Sequence, residues 1–146
     1  MAYSKQARND PADLTSWTRE QPSVVAPTDR PGFHGALVEL IGIQSVSAAE
    51  TFTQALLGRR PEVVRIGENT QGVFSDVLMR KLPNGWIFGL PNERFLTDER
   101  GYDGPGIAPH VTVLSFTPEG LASGRDAGIE TALERLRGKT GLSLVH

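Results

Sequence analysis

Ser47 and Glu50 stand three residues apart in QSVSAAETF, Gln44 to Phe52, where an apolar run gives way to a helical pattern. The spacing S-x-x-E is that of a capping box, in which the serine oxygen accepts a helix-start N–H and the glutamate reaches back to the serine N–H. A serine in this place can also be a nucleophile. The N–H groups at a helix start point toward it and carry the positive end of the macrodipole, so they can stabilise the oxyanion made when a hydroxyl attacks a carbonyl. On pattern alone the cap is the commoner reading.

Attack also needs a base within hydrogen-bond reach of the hydroxyl. The three histidines are His34, just before the apolar run, His110, in a proline-rich loop, and His146, at the end. Their spacing suggests no metal site, and each reads as a surface or loop histidine. No base is evident. The absence of cysteine removes thiolate nucleophiles, disulfides and thiolate metal sites together. RGYDGPG has the wrong glycine order for a dinucleotide fingerprint and reads as a shaped turn, while Arg59 and Arg60 read as a solvated helix end. No cofactor and no metal is expected. Glu68, Asp76, Glu93, Asp98, Glu99 and Asp103 could furnish paired carboxylates, but spacing does not decide which of them meet.

The elements that must position these groups are legible in outline. ALVELIG predicts a strand buried on both faces. A helix follows over about Ala48 to Leu57, with Ala49, Phe52, Thr53 and Leu56 on one face and Gly58 to Pro61 as its stop. EVVRIG is the next strand. GVFSDVLMRKL and GWIFGLPNERFL flank Pro83-Asn84-Gly85 and predict a hairpin, with Trp86, Phe88 and Phe95 as sheet core. VTVLSF is a further strand, and Asp126 caps a last helix that carries Ile129, Ala132, Leu133 and Leu136 on its apolar stripe and stops at Gly138. Residues 1–30 are polar, with Pro11, Pro22 and Pro27, and read as an extended arm or linker; residues 141–146 read as a tail. Strands alternating with helices give an α/β class domain.

Length and composition agree with one globular domain: 146 residues bury a sizeable core, and a net charge of −2 carries no nucleic-acid signature. No apolar run approaches the ~20 residues of a membrane span, and MAYSKQARND lacks the apolar core of a secretory signal.

Five stretches read together resemble the tail-specific, or carboxyl-terminal processing, serine peptidases, in particular the branch of the tricorn core and the interphotoreceptor retinoid-binding protein. They are FHGALVELIGIQSVSAAETF, RIGENTQGVFSD, LPNGWIFGLPNERF, YDGPGIAPHVTV and SGRDAGIETAL, in the family's order from about Pro31 to Arg137. The resemblance implies a serine endopeptidase that cleaves peptide or protein substrates through an acyl-enzyme on Ser47. It places the Ala48 backbone N–H in the oxyanion hole, beside a glycine N–H from an earlier segment. The lysine base of the processing branch would fall on Val73, which accepts no proton, so a Ser–Lys dyad is excluded. The tricorn-like branch uses a histidine well before the nucleophile and an acid near the G-I-x-P loop, for which Asp103 is the candidate.

That histidine and its glycine-rich oxyanion segment have no equivalent between Met1 and Phe33. The resemblance therefore reads residues 31–140 as the carboxyl-terminal half of a catalytic domain, lacking its amino-terminal half and turning over little by itself. The implied fold is part of a Clp-protease/crotonase-like β-β-α spiral. Half a spiral exposes sheet edges and apolar surface, so the chain is expected to form homo-oligomers. Relatives often work outside the cytoplasm, which leaves the compartment open. The alternative is a non-catalytic module of the same fold that binds an apolar, retinoid-like ligand.

Overall fold

The computed structural model describes residues 2–8, 12–13, 15–24, 26, 29–96 and 101–140. In chain order the elements are β1 (Ala2–Ala7), β2 (Gln21–Val24), β3 (Val38–Ile41), α1 (Ala48–Leu56), β4 (Val64–Gly67), β5 (Val77–Lys81), β6 (Ile87–Pro91), β7 (Glu93–Leu96), β8 (Val111–Thr112), α2 (Pro118–Ser123) and α3 (Ala127–Thr140). The class is mixed α/β, with small sheets and few helices.

β3, β4 and β8 form a parallel sheet in the order β3-β4-β8, with Val38 opposite Val64, Ile41 opposite Gly67 and Ile66 opposite Val111. Parallel neighbours need a crossover, and α1 supplies it between β3 and β4. α3 packs on β3 and β4. Its start is capped as expected, the Ile129 N–H donating to Asp126 Oδ1 at 2.9 Å. The helix runs through Gly138 to Thr140, because one glycine in a helix costs only ~1 kcal/mol and does not end it.

A hydrophobic cluster joins the loop after β4 and the loop before β8 to β7. Phe74, Phe95 and Ile107 are buried at 1, 6 and 2% exposure, with Leu57 and Tyr102 packed against them. Burying a side chain such as Phe74 contributes about 2–3 kcal/mol.

Several expectations are corrected by the burial pattern. β3 is not buried on both faces: Ile41 is buried, whereas Leu40 is 48% exposed. α1 turns its polar side inward, burying Glu50, Thr53 and Gln54 while Phe52 stays 62% exposed. The reason is hydrogen bonding, since Thr53 Oγ1 donates to Glu39 Oε1 on β3 at 2.7 Å. Phe95 is core as expected, but Trp86 and Phe88 are exposed on the β5–β6 hairpin. The segment read as an arm contains β1 and β2, which join β7 in the antiparallel order β2-β1-β7. Its register comes from distant partners: the Arg8 N–H donates to the Asn92 carbonyl, and the Arg8 and Arg94 guanidiniums lie 4.3 and 4.4 Å from the Trp17 ring centroid. Local pattern carries no trace of such pairings. Asp98, Glu99, His146 and the tail 141–146 lie outside the described residues. Among the described residues no helix is long and apolar enough to cross a membrane.

Glu39 shows how the α1 contact responds to pH. Burial pushes its carboxyl above the usual range, against the opposing effects of the Thr53 hydroxyl and the Arg65 charge, and its Oε2 is buried without a hydrogen-bond partner. A raised folded-state value means that the stability held by the protonated form is present at low pH. It is lost as pH rises from the ordinary glutamate value to the raised one. Glu39→Gln should therefore melt higher than the parent chain at about pH 8 and nearly level with it at about pH 4, as read by circular dichroism.

Candidate active site

The site is built where β3 ends. The Gly42 carbonyl accepts the Ser45 N–H at 2.8 Å, the Ser45 carbonyl accepts the Gln71 N–H at 3.0 Å, and the Ser47 N–H donates to the Val73 carbonyl at 2.8 Å. The turn from β3 into α1 is thus laced to the loop that follows β4. Ser47 itself sits at φ 55° and ψ −113°, a backbone conformation that L-residues rarely adopt. Such a residue costs on the order of 1–3 kcal/mol and persists only where its surroundings over-determine it.

Glu50 does much of that over-determination. Its side chain is fully buried. Oε1 accepts the Gly72 N–H at 2.6 Å, while Oε2 accepts the Val73 N–H at 2.8 Å and the Ser47 N–H at 3.2 Å. The glutamate half of the capping box is therefore tight. The serine half is loose, the hydroxyl facing the Glu50 N–H without a well-formed cap hydrogen bond. Ser47 is partly buried and Ala48 is exposed. Among the described residues none accepts the Ala48 N–H, the first of α1, as is usual for the leading N–H groups of a helix.

Asp103 reaches the same loop from the other side. It is half-buried, and its Oδ1 accepts the Phe74 N–H at 3.3 Å. Ser47, Glu50 and Asp103 are consequently tied to one stretch, Gly72 to Phe74. The loops meet closely there. Gly72 has φ +78°, and a Cβ on it would lie 2.4 Å from the Gly104 carbonyl oxygen; a Cβ on Gly106, at φ +70°, would lie 2.4 Å from the Thr70 carbonyl oxygen. Gly72→Ala should cost about 2 kcal/mol or more, through strain and collision together, visible as a lowered urea midpoint with an unchanged slope.

The histidines do not complete the site among the described residues. His34 is exposed. His110 Nδ1 accepts the Arg65 backbone N–H at 3.0 Å, and its Nε2 lies 3.1 Å from Arg65 Nη2 and 3.7 Å from Glu62 Oε1. That ring locks the start of β8 to β4. Val73, where a lysine base would fall, lies beside Ser47 with an apolar side chain. No group of three or more metal-ligating side chains is found among the described residues.

A cleft of about 200 Å³ adjoins the turn at the carboxyl ends of β3 and β4, lined by Leu40, Ile43, Ser45, Glu68 and Phe116 among others. Ligands of open α/β sheets bind at this end of the strands.

Residues 2–113 match the sequence profile of peptidase family S41. The chain belongs to peptidase family S41. The match reaches back well before Pro31 and takes in β1 and β2. Among solved structures, a candidate peptidase from Parabacteroides merdae ATCC 43184 is similar to this S41 chain at 25% identity and a TM-score of 0.77, over 96% of this chain and 44% of that one. Mature CPAF is similar at 18% identity and a TM-score of 0.64, over 82% of this chain and 24% of that one. The tricorn protease is similar at 21% identity and a TM-score of 0.61, over 72% of this chain and 10% of that one. The last two likenesses concern the fold. The S41 chain spans less than half the length of each of these structures. No curated protein matches it significantly.

Glu50 is the functional residue that sequence reasoning undervalued. The capping-box spacing marked it, but nothing in the spacing says that its carboxylate is buried and binds a loop more than twenty residues onward. The glycines of ENTQG and YDGPG were the available signal, since two loops with obligatory glycines are candidates for close approach.

Proposed function

We propose that Ser47 is the nucleophile of a serine peptidase whose general base comes from residues outside this 146-residue sequence. The observation that carries the reading is the strained Ser47 backbone, held by Val73 and Glu50 while the hydroxyl is left poorly engaged. Membership of a peptidase family supports the same reading.

In this mechanism the Ser47 Oγ attacks the carbonyl carbon of a peptide bond and its proton passes to the base. The tetrahedral oxyanion meets the Ala48 N–H and the positive end of α1. The intermediate collapses, the C–N bond breaks, and the base returns the proton to the departing amine. Water then hydrolyses the ester on Ser47 and frees the hydroxyl. Asp103 orients the base, as a carboxylate does in other triads. Val73 has no proton to give or take, so it shapes the site without joining the transfers. The cleft beside Ile43 and Phe116 receives part of the peptide, and the domain forms part of a β-β-α spiral completed by the portion that carries the base.

The test is a fluorogenic peptide assay on the chain extended by the coding sequence upstream of Met1, alongside the 146-residue chain. Turnover by the extended chain, with little by the shorter one, supports the reading. Saturable retinoid or fatty-acid binding with no turnover in either form supports the ligand-binding module instead.

A further inference from the structure

We propose that the outer edge of β6 pairs with β6 of a second copy of the chain. β5 and β6 pair only with each other among the described residues. Every residue of β6 is exposed, and the hairpin shows Met79, Trp86, Ile87 and Leu90 to solvent at 58, 73, 64 and 56%. A two-stranded hairpin is marginally stable by itself, and exposed apolar surface of this kind marks an interaction site.

The hairpin is aimed by its base. Ser75 is 4% exposed, and its hydroxyl accepts the Asn92 and Glu93 N–H groups at 3.0 and 2.9 Å while donating to the Asp76 carbonyl at 2.7 Å. One buried side chain therefore ties both legs together where they leave the core.

Charge decides which edge is open, and to what. β5 carries Arg80 and Lys81, and cationic side chains on an edge strand oppose pairing. β6, IFGLP, has no charged residue. A charged peptide finds no counter-ion along it, whereas a second β6 brings an equally neutral strand. Antiparallel pairing about a twofold axis near Gly89 is self-complementary and yields a four-stranded sheet. The β5 strands then form its outer edges, which keeps the four cations of the two copies apart. Pro91 lacks an N–H and ends the pairing segment. Three or more strands are what a sheet needs for independent stability, so the pairing supplies what the isolated hairpin lacks. None of this depends on the role of Ser47.

Sedimentation velocity of the 146-residue chain at about 10 µM should show a dimer. Ile87→Lys places like charges on the joining strands and should weaken dimerisation by about tenfold or more, with the far-ultraviolet dichroism retained. Leu121→Lys, at an exposed site on α2, should leave the dimer intact. As a check needing no variant, hydrogen exchange of the Ile87 to Leu90 amides should slow as concentration rises. A monomer at every concentration, a dimer indifferent to Ile87→Lys, or β6 amides that exchange equally fast in dilute and concentrated solution would overturn the proposal.

Discussion

Ser47→Ala, made in a form of the chain that turns over peptide, should lower kcat by about 10⁶-fold and leave KM within a small factor, because loss of a serine nucleophile removes the acyl pathway as a whole. A second substitution at the same position tells the nucleophile from the cap. Ser47 stands at φ 55°, where a side chain is strained and glycine is not. Ser47→Gly should therefore be as inactive as Ser47→Ala, yet fold at least as stably as the parent, since glycine also costs only a few tenths of a kcal/mol as a helix cap. A serine that served only as a cap would behave otherwise. Its alanine variant would lose ~1 kcal/mol of stability and keep its turnover. Paired thermal melts and initial rates on the three proteins separate the two roles.

Glu50→Ala should be the most damaging substitution for stability, at about 4 kcal/mol. It strips the acceptor from the Gly72 and Val73 N–H groups in one step and leaves the Ser47 N–H with the Val73 carbonyl alone, and each buried donor left unmatched costs ~1–3 kcal/mol. A residual cavity adds to the loss. Glu50→Gln keeps the volume and one oxygen acceptor, but its amide NH₂ cannot accept and meets backbone donors, so it should recover only part of the difference. Both variants should also depress turnover beyond what unfolding explains, because the Val73 carbonyl and the Glu50 carboxylate together hold the Ser47 backbone. Denaturant titration gives the stability loss, and rates measured well below the unfolding transition give the remainder.

How far the molecule could be read beforehand depended on the kind of force involved. β4, α1, the hairpin turn at Pro83 to Gly85 and the Asp126 cap were legible because local spacing or turn chemistry dictates them. The inward face of α1 was not. Periodicity points to apolar stripes, but this helix docks through Glu50 and Thr53, whose partners lie on another strand and another loop. β1 and β2 went unread for a related reason, their ladder being set by β7 nearly ninety residues onward. The exposure of Trp86 and Phe88 was hidden too, since alternating apolar residues look the same whether or not anything covers them. At the site, Ser47, Ala48 and Asp103 were each named from the sequence. That Ser47 and Asp103 both bond to the stretch Gly72 to Phe74 required the fold.

The most direct measurement is to map a fluorophosphonate adduct by peptide mass on the chain extended upstream of Met1. A single adduct is expected, on the peptide that contains Ser47, which disappears in Ser47→Ala and does not move elsewhere. An adduct on another serine, or labelling that persists undiminished in Ser47→Ala, would contradict it.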